Sequence, residues 1–557
     1  MQEYRDVLES NTVQEMRTMV NNNLNTLRST HAGEAFPTEN LVLGMKCFRT
    51  DEKKTYTLIS LDPIEWKVES RGMGEHEREE IVSQLEFFAS ITADALRRCT
   101  DWSGLFNRAL SVEIVDFSDL GAGAYVTNMS MMFHDCVSLK TVLNFNLPPS
   151  HVVMDVHGMF SECNKLSVLD AAGFAAKNVA IFTDMFSGCH ELKALDVSAW
   201  QTGLATDMSG MFRNCWKLES LDVSKWNVGT CTNFAEMFMG CRRLRGLDFT
   251  SWDTSKATAM GGMFKGMGTE LSKPPICKLD LTVLDLSNVE VTSNMFAFTH
   301  AELIIGEKMR RTGKCRNMKG MFSHFMNLSD VVVAGEAYTP PVIQTDYPRV
   351  YFSKDETTIK PSIFTAFDLS AAVDMSDMFA HTYNVNCKIQ KHLDADRYEI
   401  IPGLIFHVST PNVTNISNMF EGATGAEFID FSMDTGRVTN MMNLFDAVTA
   451  ESIRLRNFDT RSVGVWEEYK NPTKFSYADS MFRNCRRLRY LIIDGTEFRF
   501  KLLTDILVDL PAECRFVVPR AMIQTYKAQN IWKDYASRFI VMEDCQLYGA
   551  YVKSAPA

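Results

Sequence analysis

Apolar and polar positions along most of this chain recur with a period of about 26 residues. The dipeptide Met-Phe marks the phase. It falls at Met132-Phe133, Met159-Phe160, Met185-Phe186, Met211-Phe212, Met237-Phe238 and Met263-Phe264, and returns at Met295-Phe296, Met321-Phe322, Met378-Phe379, Met419-Phe420 and Met481-Phe482. Leu105-Phe106 and Leu444-Phe445 read as degenerate copies, which gives about 13 units. Within one unit Met208, Met211 and Phe212 stand at i, i+3 and i+4, the spacing of one face of a short helix. Leu221 and Val223 then alternate with Asp222 and Ser224, as in a short strand with one buried side, and Leu218 leads into it. Such a unit buries its apolar side only by stacking on copies of itself. The expected fold is an α/β repeat solenoid of the leucine-rich-repeat type, one short strand plus one short helix per coil, with a small α+β domain at the N-terminus.

The period also orders the cysteines. Cys136, Cys163, Cys189, Cys215, Cys241 and Cys485 each stand three residues after the repeat Phe, so they read as small buried fillers rather than disulfide partners or metal ligands. Asp196, Asp222 and Asp248 recur on the outward side of the strand, either as an acidic ladder for a ligand or as turn residues that bond their own backbone.

The units resemble the BspA-like leucine-rich-repeat family, in the variety with the signature Met-Phe-x-x-Cys-x-x-Leu-x-x-Leu-Asp-x-Ser-x-Trp. Phe186, Cys189, Leu192, Leu195, Asp196, Ser198 and Trp200 follow it in order, as do Phe212, Cys215, Leu218, Leu221, Asp222, Ser224 and Trp226. The resemblance covers roughly residues 100–500. It implies the fold, and a surface role in attachment, since members are mostly bacterial surface proteins with some copies in protists and viruses; it implies no particular ligand. Residues 501–557 resemble the C-terminal unit of that family through Val518, Pro519, Tyr526, Lys527, Trp532 and Tyr535, and are expected to cap the solenoid end.

Residues 1–73 lack the repeat. Val13, Met16, Val20 and Leu27 approximate a heptad seam, either an oligomerisation helix or a helix packed on its own domain. Strands are expected around Met45–Arg49, Tyr56–Ile59 and Ile64–Val68, joined by the charged turn Asp51–Lys54. Pro37, Gly44, Phe48, Thr50, Asp51, Tyr56, Leu58 and Trp66 resemble a module near the N-terminus of tailed-phage fibre and virion appendage proteins, which implies an anchor to a particle. Residues 74–99 read as a connector or capping helix over Glu75–Arg98, from Ile81, Leu85, Phe88, Ile91 and Leu96.

The array is interrupted between Phe264 and Phe296, Phe322 and Phe379, Phe379 and Phe420, and Phe445 and Phe482. Inserted residues in a solenoid loop out on one side, often the binding side. Tyr338, Tyr347, Tyr351 and Phe352 in one insertion, and Trp466 and Tyr469 in another, are the candidate ligand contacts; the competing reading packs these rings back on the coils.

A net charge of -12 argues against non-specific nucleic-acid binding. Neither a signal peptide nor an 18-residue apolar run is visible, so no membrane insertion is expected. No catalytic motif, paired metal-ligand spacing or cofactor fingerprint is found, and His134 and His190 beside the repeat cysteines lack a recognisable partner for catalysis. The leading expectation is therefore a non-enzymatic virion appendage, assembled in a host cytoplasm, homo-oligomeric, joined to other virion proteins through its N-terminal region and binding a host surface glycan or protein. The alternative is a BspA-like cell-surface or extracellular adhesin, or a protein-binding scaffold.

Overall fold

The computed structural model describes strands 46–49, 54–61, 64–68 and 85–87, residues 101–548 apart from 111, 117–125, 144, 146–151, 172, 271–276, 326–330, 334–366, 383–386, 395–396, 468–473, 477, 495–505 and 508, and residues 551–555. The chain divides into two units, Met1–Lys256 with Met267–Pro275 and Ala257–Gly266 with Ile276–Ala557. Each is a β-solenoid. The first holds the coils of Phe106, Phe133, Phe160, Phe186, Phe212 and Phe238; the second holds those of Phe264, Phe296, Phe322, Phe379, Phe420, Phe445 and Phe482.

The Met-Phe segment is not a helix. In the coil of Phe212 the amides of Met208, Gly210, Phe212 and Asn214 donate to the next coil, to the carbonyls of Asn233, Ala235, Met237 and Met239 at 2.7–3.0 Å. The intervening amides of Met211, Arg213 and Cys215 close turns within the coil, onto the carbonyls of Met208, Gly210 and Phe212. The remaining amide, that of Ser209, donates to Asp207 Oδ1 at 2.8 Å. Every N–H from 208 to 215 is thus satisfied without one i→i−4 bond. The backbone reaches this geometry through two left-handed residues four apart. The pairs are Gly104/Arg108, Met131/Asp135, Gly158/Glu162, Asp184/Gly188, Gly210/Asn214 and Glu236/Gly240 in the first unit. In the second they are Gly262/Gly266, Asn294/Phe298, Gly320/His324, Asp377/His381, Asn418/Gly422, Asn443/Ala447 and Ser480/Asn484. A left-handed residue every fourth position forbids an α-helix, yet consecutive tight turns return apolar residues inward at i, i+3 and i+4. That is why the apolar spacing alone reads as helical.

Parallel bridges tie the coils on the approach to this ribbon. They run Asp101, Asn128, Asp155, Ile181, Asp207, Asn233 in the first unit and Ala259, Val291, Asn317, Asp374, Asn415, Asn440 in the second. A parallel sheet forms after the ribbon. In the first unit it joins Leu85–Phe87, Val112–Asp116, Thr141–Leu143 and Val168–Leu169. Residues 85–87 are therefore strand, the first rung of the array, which corrects the helix expected through them. In the second unit Cys277–Leu281, Ala301–Ile305 and Val331–Val333 are parallel neighbours. Arg397–His407, Phe428–Ser432, Ser452–Arg456, Tyr490–Ile493, Arg515–Val518 and Phe539–Val541 form another parallel series. Two insertions add antiparallel hairpins, Cys387–Asp394 with Arg397–His407 and Val465–Glu467 with Lys474–Ser476.

The core is a set of side-chain ladders. Phe106, Phe133, Phe160, Phe186, Phe212 and Phe238 stack face to face with centroids 4.9–5.8 Å apart. Trp200, Trp226 and Trp252 stack at 6.1 and 6.4 Å, and the indole N–H groups of Trp226 and Trp252 donate to the carbonyls of Val197 and Val223. In the second unit the Phe264 to Phe482 ladder has spacings of 5.3–6.1 Å. Leu221 and Val223 are buried and Asp222 is exposed, as their alternation predicts.

The cysteines do more than fill space. The thiols of Cys136, Cys163, Cys189, Cys215, Cys241 and Cys485 donate to the carbonyls of Phe106, Phe133, Phe160, Phe186, Phe212 and Phe445 at 2.9–3.2 Å. The hydroxyls of Thr299 and Thr382, in the same register, bond the carbonyls of Phe264 and Phe322. Cys215→Thr is therefore expected to keep the bond, while the isosteric Cys215→Val loses it. Denaturant titration should place the Thr variant about 1 kcal/mol above the Val variant; equal stabilities would remove the role assigned to the thiol.

At the N-terminal side, Lys46–Arg49, Lys54–Leu61 and Ile64–Val68 form an antiparallel sheet, with Trp66 opposite Leu58. The structure describes no helix there: Val13, Met16, Val20 and Leu27 lie outside the described residues. A separate α+β domain is thus not part of the described fold. At the other end, the strand Arg515–Val518 leads through Pro519 and the helix Ile523–Ala528 to Phe539–Val541, enclosing Tyr526 and Trp532.

Candidate interaction surface

The turn ribbon supplies the chemically varied surface of the solenoid. Its backbone is satisfied by the cross-coil bonds, so its outward side chains can change without disturbing the ladder. Most left-handed positions carry Gly, Asn or Asp, which adopt that conformation at low cost. Ala447 and Ser480 are exceptions in the second unit, and three adjacent coils there carry rings. Phe298, His324 and His381 are held at φ 57°, 54° and 52°. A bulky side chain there costs of order 1–2 kcal/mol, and Gly266 and Gly422, in the same row, show that Gly fits.

These three rings stack. Phe298 and His324 have centroids 4.3 Å apart, and His324 and His381 4.7 Å. Lys265 Nζ lies 6.0 Å from the Phe298 ring at one end, and Glu421 Oε1 lies 3.9 Å from His381 Nε2 at the other. Gly422 leaves the space that the His381 imidazole occupies, since a Cβ there would overlap it. Ser323 Oγ and His324 Nδ1 are hydrogen-bonded at 2.9 Å. Burial holds His324 below the usual imidazole range, with the charge of His381 acting in the same direction. Burial raises the Glu421 carboxyl, more than His381 lowers it. Phe298 is 45% exposed. The ring faces are turned toward neighbouring coils, so the row presents edges: aromatic C–H beside imidazole nitrogens.

A second row, in the first unit, is built one turn further on. His190 stacks on Trp216 at 3.6 Å and Arg242 covers the indole at 4.6 Å. Lys217 pairs with Glu191, and Arg243 with Glu270. His190 thus belongs to a ladder of mixed residue types. The acidic strand positions have a local role. Asp196 and Asp222 accept the amide and hydroxyl of Ser198 and Ser224, and Asp248 accepts the amide of Thr250. The hydroxyl and amide bonds hold the Asp196 and Asp222 carboxyls below their ordinary range.

Of the ring-bearing residues singled out in the insertions, Tyr338, Tyr347, Tyr351, Phe352 and Tyr469 lie outside the described residues. Trp466 is placed by its backbone, opposite Phe475 in the Val465–Glu467 hairpin. The His324/His381 row was open to the sequence, because both residues stand two after a Met-Phe mark.

Stacked coils with ladder-bonded turns and a variable outer row define a β-solenoid repeat protein. The chain belongs to the family described as Mycoplasma protein of unknown function, DUF285, whose model matches residues 82–195, 154–275, 349–469 and 404–492. The first of these matches begins just before the strand Leu85–Phe87. Among solved structures, a leucine rich cell surface protein from Faecalibacterium prausnitzii A2-165 is similar at 12% identity, over 84% of this chain and 93% of that one, with a TM-score of 0.23. No curated protein matches the chain.

Proposed function

We propose that this protein is a non-enzymatic binding solenoid, displayed on a cell surface as an adhesin or scaffold, that grips a surface glycan or protein with the side-chain rows of its turn ribbon. The observation that carries the reading is the Phe298–His324–His381 row: mutually stacked, with Phe298 exposed in a backbone conformation that Gly or Asn would adopt more cheaply and the two histidines half-buried beside it. Costly conformations at an exposed position point to a use outside folding. The virion-appendage reading rested on residues 1–66 and takes no support from the family match, which starts at residue 82. The test is to present the intact chain to immobilised bacterial and host cell surfaces and to a glycan panel. Saturable binding supports the reading. Absence of binding to every surface, or turnover of a panel member, overturns it.

A further inference from the structure

In the second unit the residues after Ala301–Ile305 make a 3-10 turn, Lys308–Arg310, before the next ribbon begins. A concavity opens there, lined by Ser287, Arg310, Arg311, Lys314, Phe367 and Asp368, with Glu307 at its side. Its walls are fixed by bonds that a ligand would not have to form. The Asp368 amide donates to the Arg310 carbonyl at 3.0 Å, Thr312 Oγ1 donates to the Asp368 carbonyl at 2.7 Å, and the Asp368 carboxylate lies against Gly313, where a Cβ would collide with it. Phe367 is 6% exposed and closes the apolar side.

We propose that this concavity binds a carboxylate-bearing sugar, a hexuronate or similar residue of an acidic glycan. The inference deepens the binding-solenoid reading and rests on it for the surface context. Three cations converge on the site. Arg311 is held by Glu307 at 2.8 Å, whereas Lys314 Nζ is held by a neutral group, Asn288 Oδ1, at 2.5 Å. Among the described residues Lys314 thus has a neutral partner, which leaves its charge to act on a ligand anion. Two carboxylates, Glu307 and Asp368, line the concavity, and the charge of Asp285 also acts on Arg311. That balance disfavours a phosphate or sulfate cluster, which the carboxylates would repel. It suits a single carboxylate whose attached hydroxyls can donate to Asp368 and bond Ser287, with the apolar face of the ring against Phe367.

The experiment titrates the intact protein with a hexuronate oligosaccharide, with its carboxyl-reduced form, with inorganic sulfate and with an aspartate-rich peptide. Saturable binding is expected for the hexuronate alone, weakened about tenfold or more by carboxyl reduction and by Lys314→Gln or Arg310→Gln. Lys225→Gln, on an exposed position of the other unit, should change nothing. Thermal unfolding of each variant checks that the fold is retained. Equal binding of the reduced sugar, preference for sulfate or the peptide, or unchanged affinity in both lining variants overturns the inference. The surface-binding assay run beside it separates the two readings. If the intact protein binds surfaces and Lys314→Gln binds them equally, with no hexuronate affinity, the acidic-sugar site falls and the solenoid reading stands. If no surface is bound but the hexuronate is, with loss in Lys314→Gln, the site stands and the adhesin reading falls.

Discussion

Phe212→Ala is expected to destabilise the first unit by about 3–5 kcal/mol. The ring is fully buried and lies between Phe186 at 5.5 Å and Phe238 at 5.8 Å, with Trp226 at 6.4 Å. Removing it opens a void at the centre of a ladder rather than at its end, and the neighbours cannot close it. Their backbones are pinned on both sides by cross-coil bonds, Phe186 N to the Met211 carbonyl and Phe212 N to the Met237 carbonyl. A solenoid carries stability through nearest-neighbour contacts, so the loss should appear as local exposure around the affected coils before global unfolding. Guanidinium titration with hydrogen exchange of the Met185–Met239 amides reads both effects. A cost under 1 kcal/mol would show that the Phe ladder is not what joins the coils.

The second large effect concerns Asp430, which is 1% exposed and lies on the strand Phe428–Ser432. Its carboxylate accepts a two-pronged bond from Arg456, at 2.6 and 2.8 Å, and lies 3.1 Å from His407 Nε2. Burial alone would raise its pKa, but the hydrogen bonds from His407 and Arg456 more than offset it and hold the carboxyl below its ordinary range. A depressed carboxyl contributes stability that is fully present above the unfolded-state pKa, near about 3.9, and is lost as pH falls through the lower folded value. Asp430→Ala removes one partner of a buried ion pair, a change that costs about 3–5 kcal/mol when the charge left behind is sealed from water. Arg456 keeps 29% exposure and has Asp494 at 3.7 Å, so the lower end of that range is expected near neutral pH. The difference between wild type and variant should shrink as pH falls below about 4. A pH-independent difference in unfolding free energy would contradict the network described.

Much of the coil was legible because its signal is periodic. Leu221, Val223 and the buried cysteines all sit where the apolar pattern places them. Periodicity reports which residues face inward and not how the backbone brings them there, so the ribbon's pattern reads as a helix while its backbone is a string of turns. Gly, Asn or Asp four apart, as in Gly210/Asn214 and Asn418/Gly422, is the signal that distinguishes a string of left-handed turns from a helix. The thiol bonds were invisible for another reason: their acceptor belongs to the preceding coil, about 29 residues away. The ring row is harder to read than the insertions, because composition changes in the insertions and not along the row's register. The row instead stays in register and changes only its side chains, Gly266 to Phe298 to His324 to His381 to Gly422.

Phe298→Asn, His324→Asn and His381→Asn combined exchange three rings for a small residue that tolerates left-handed backbone. Binding of the triple variant and of wild type to whichever surface the intact protein recognises is measured beside their thermal unfolding. The predicted result is a thermal midpoint equal to or above that of wild type, with binding weakened at least about tenfold, which is 1.4 kcal/mol. Undiminished binding in a folded triple variant would contradict the assignment of the turn ribbon as the recognition surface, and a large drop in midpoint would show that the rings serve the fold instead.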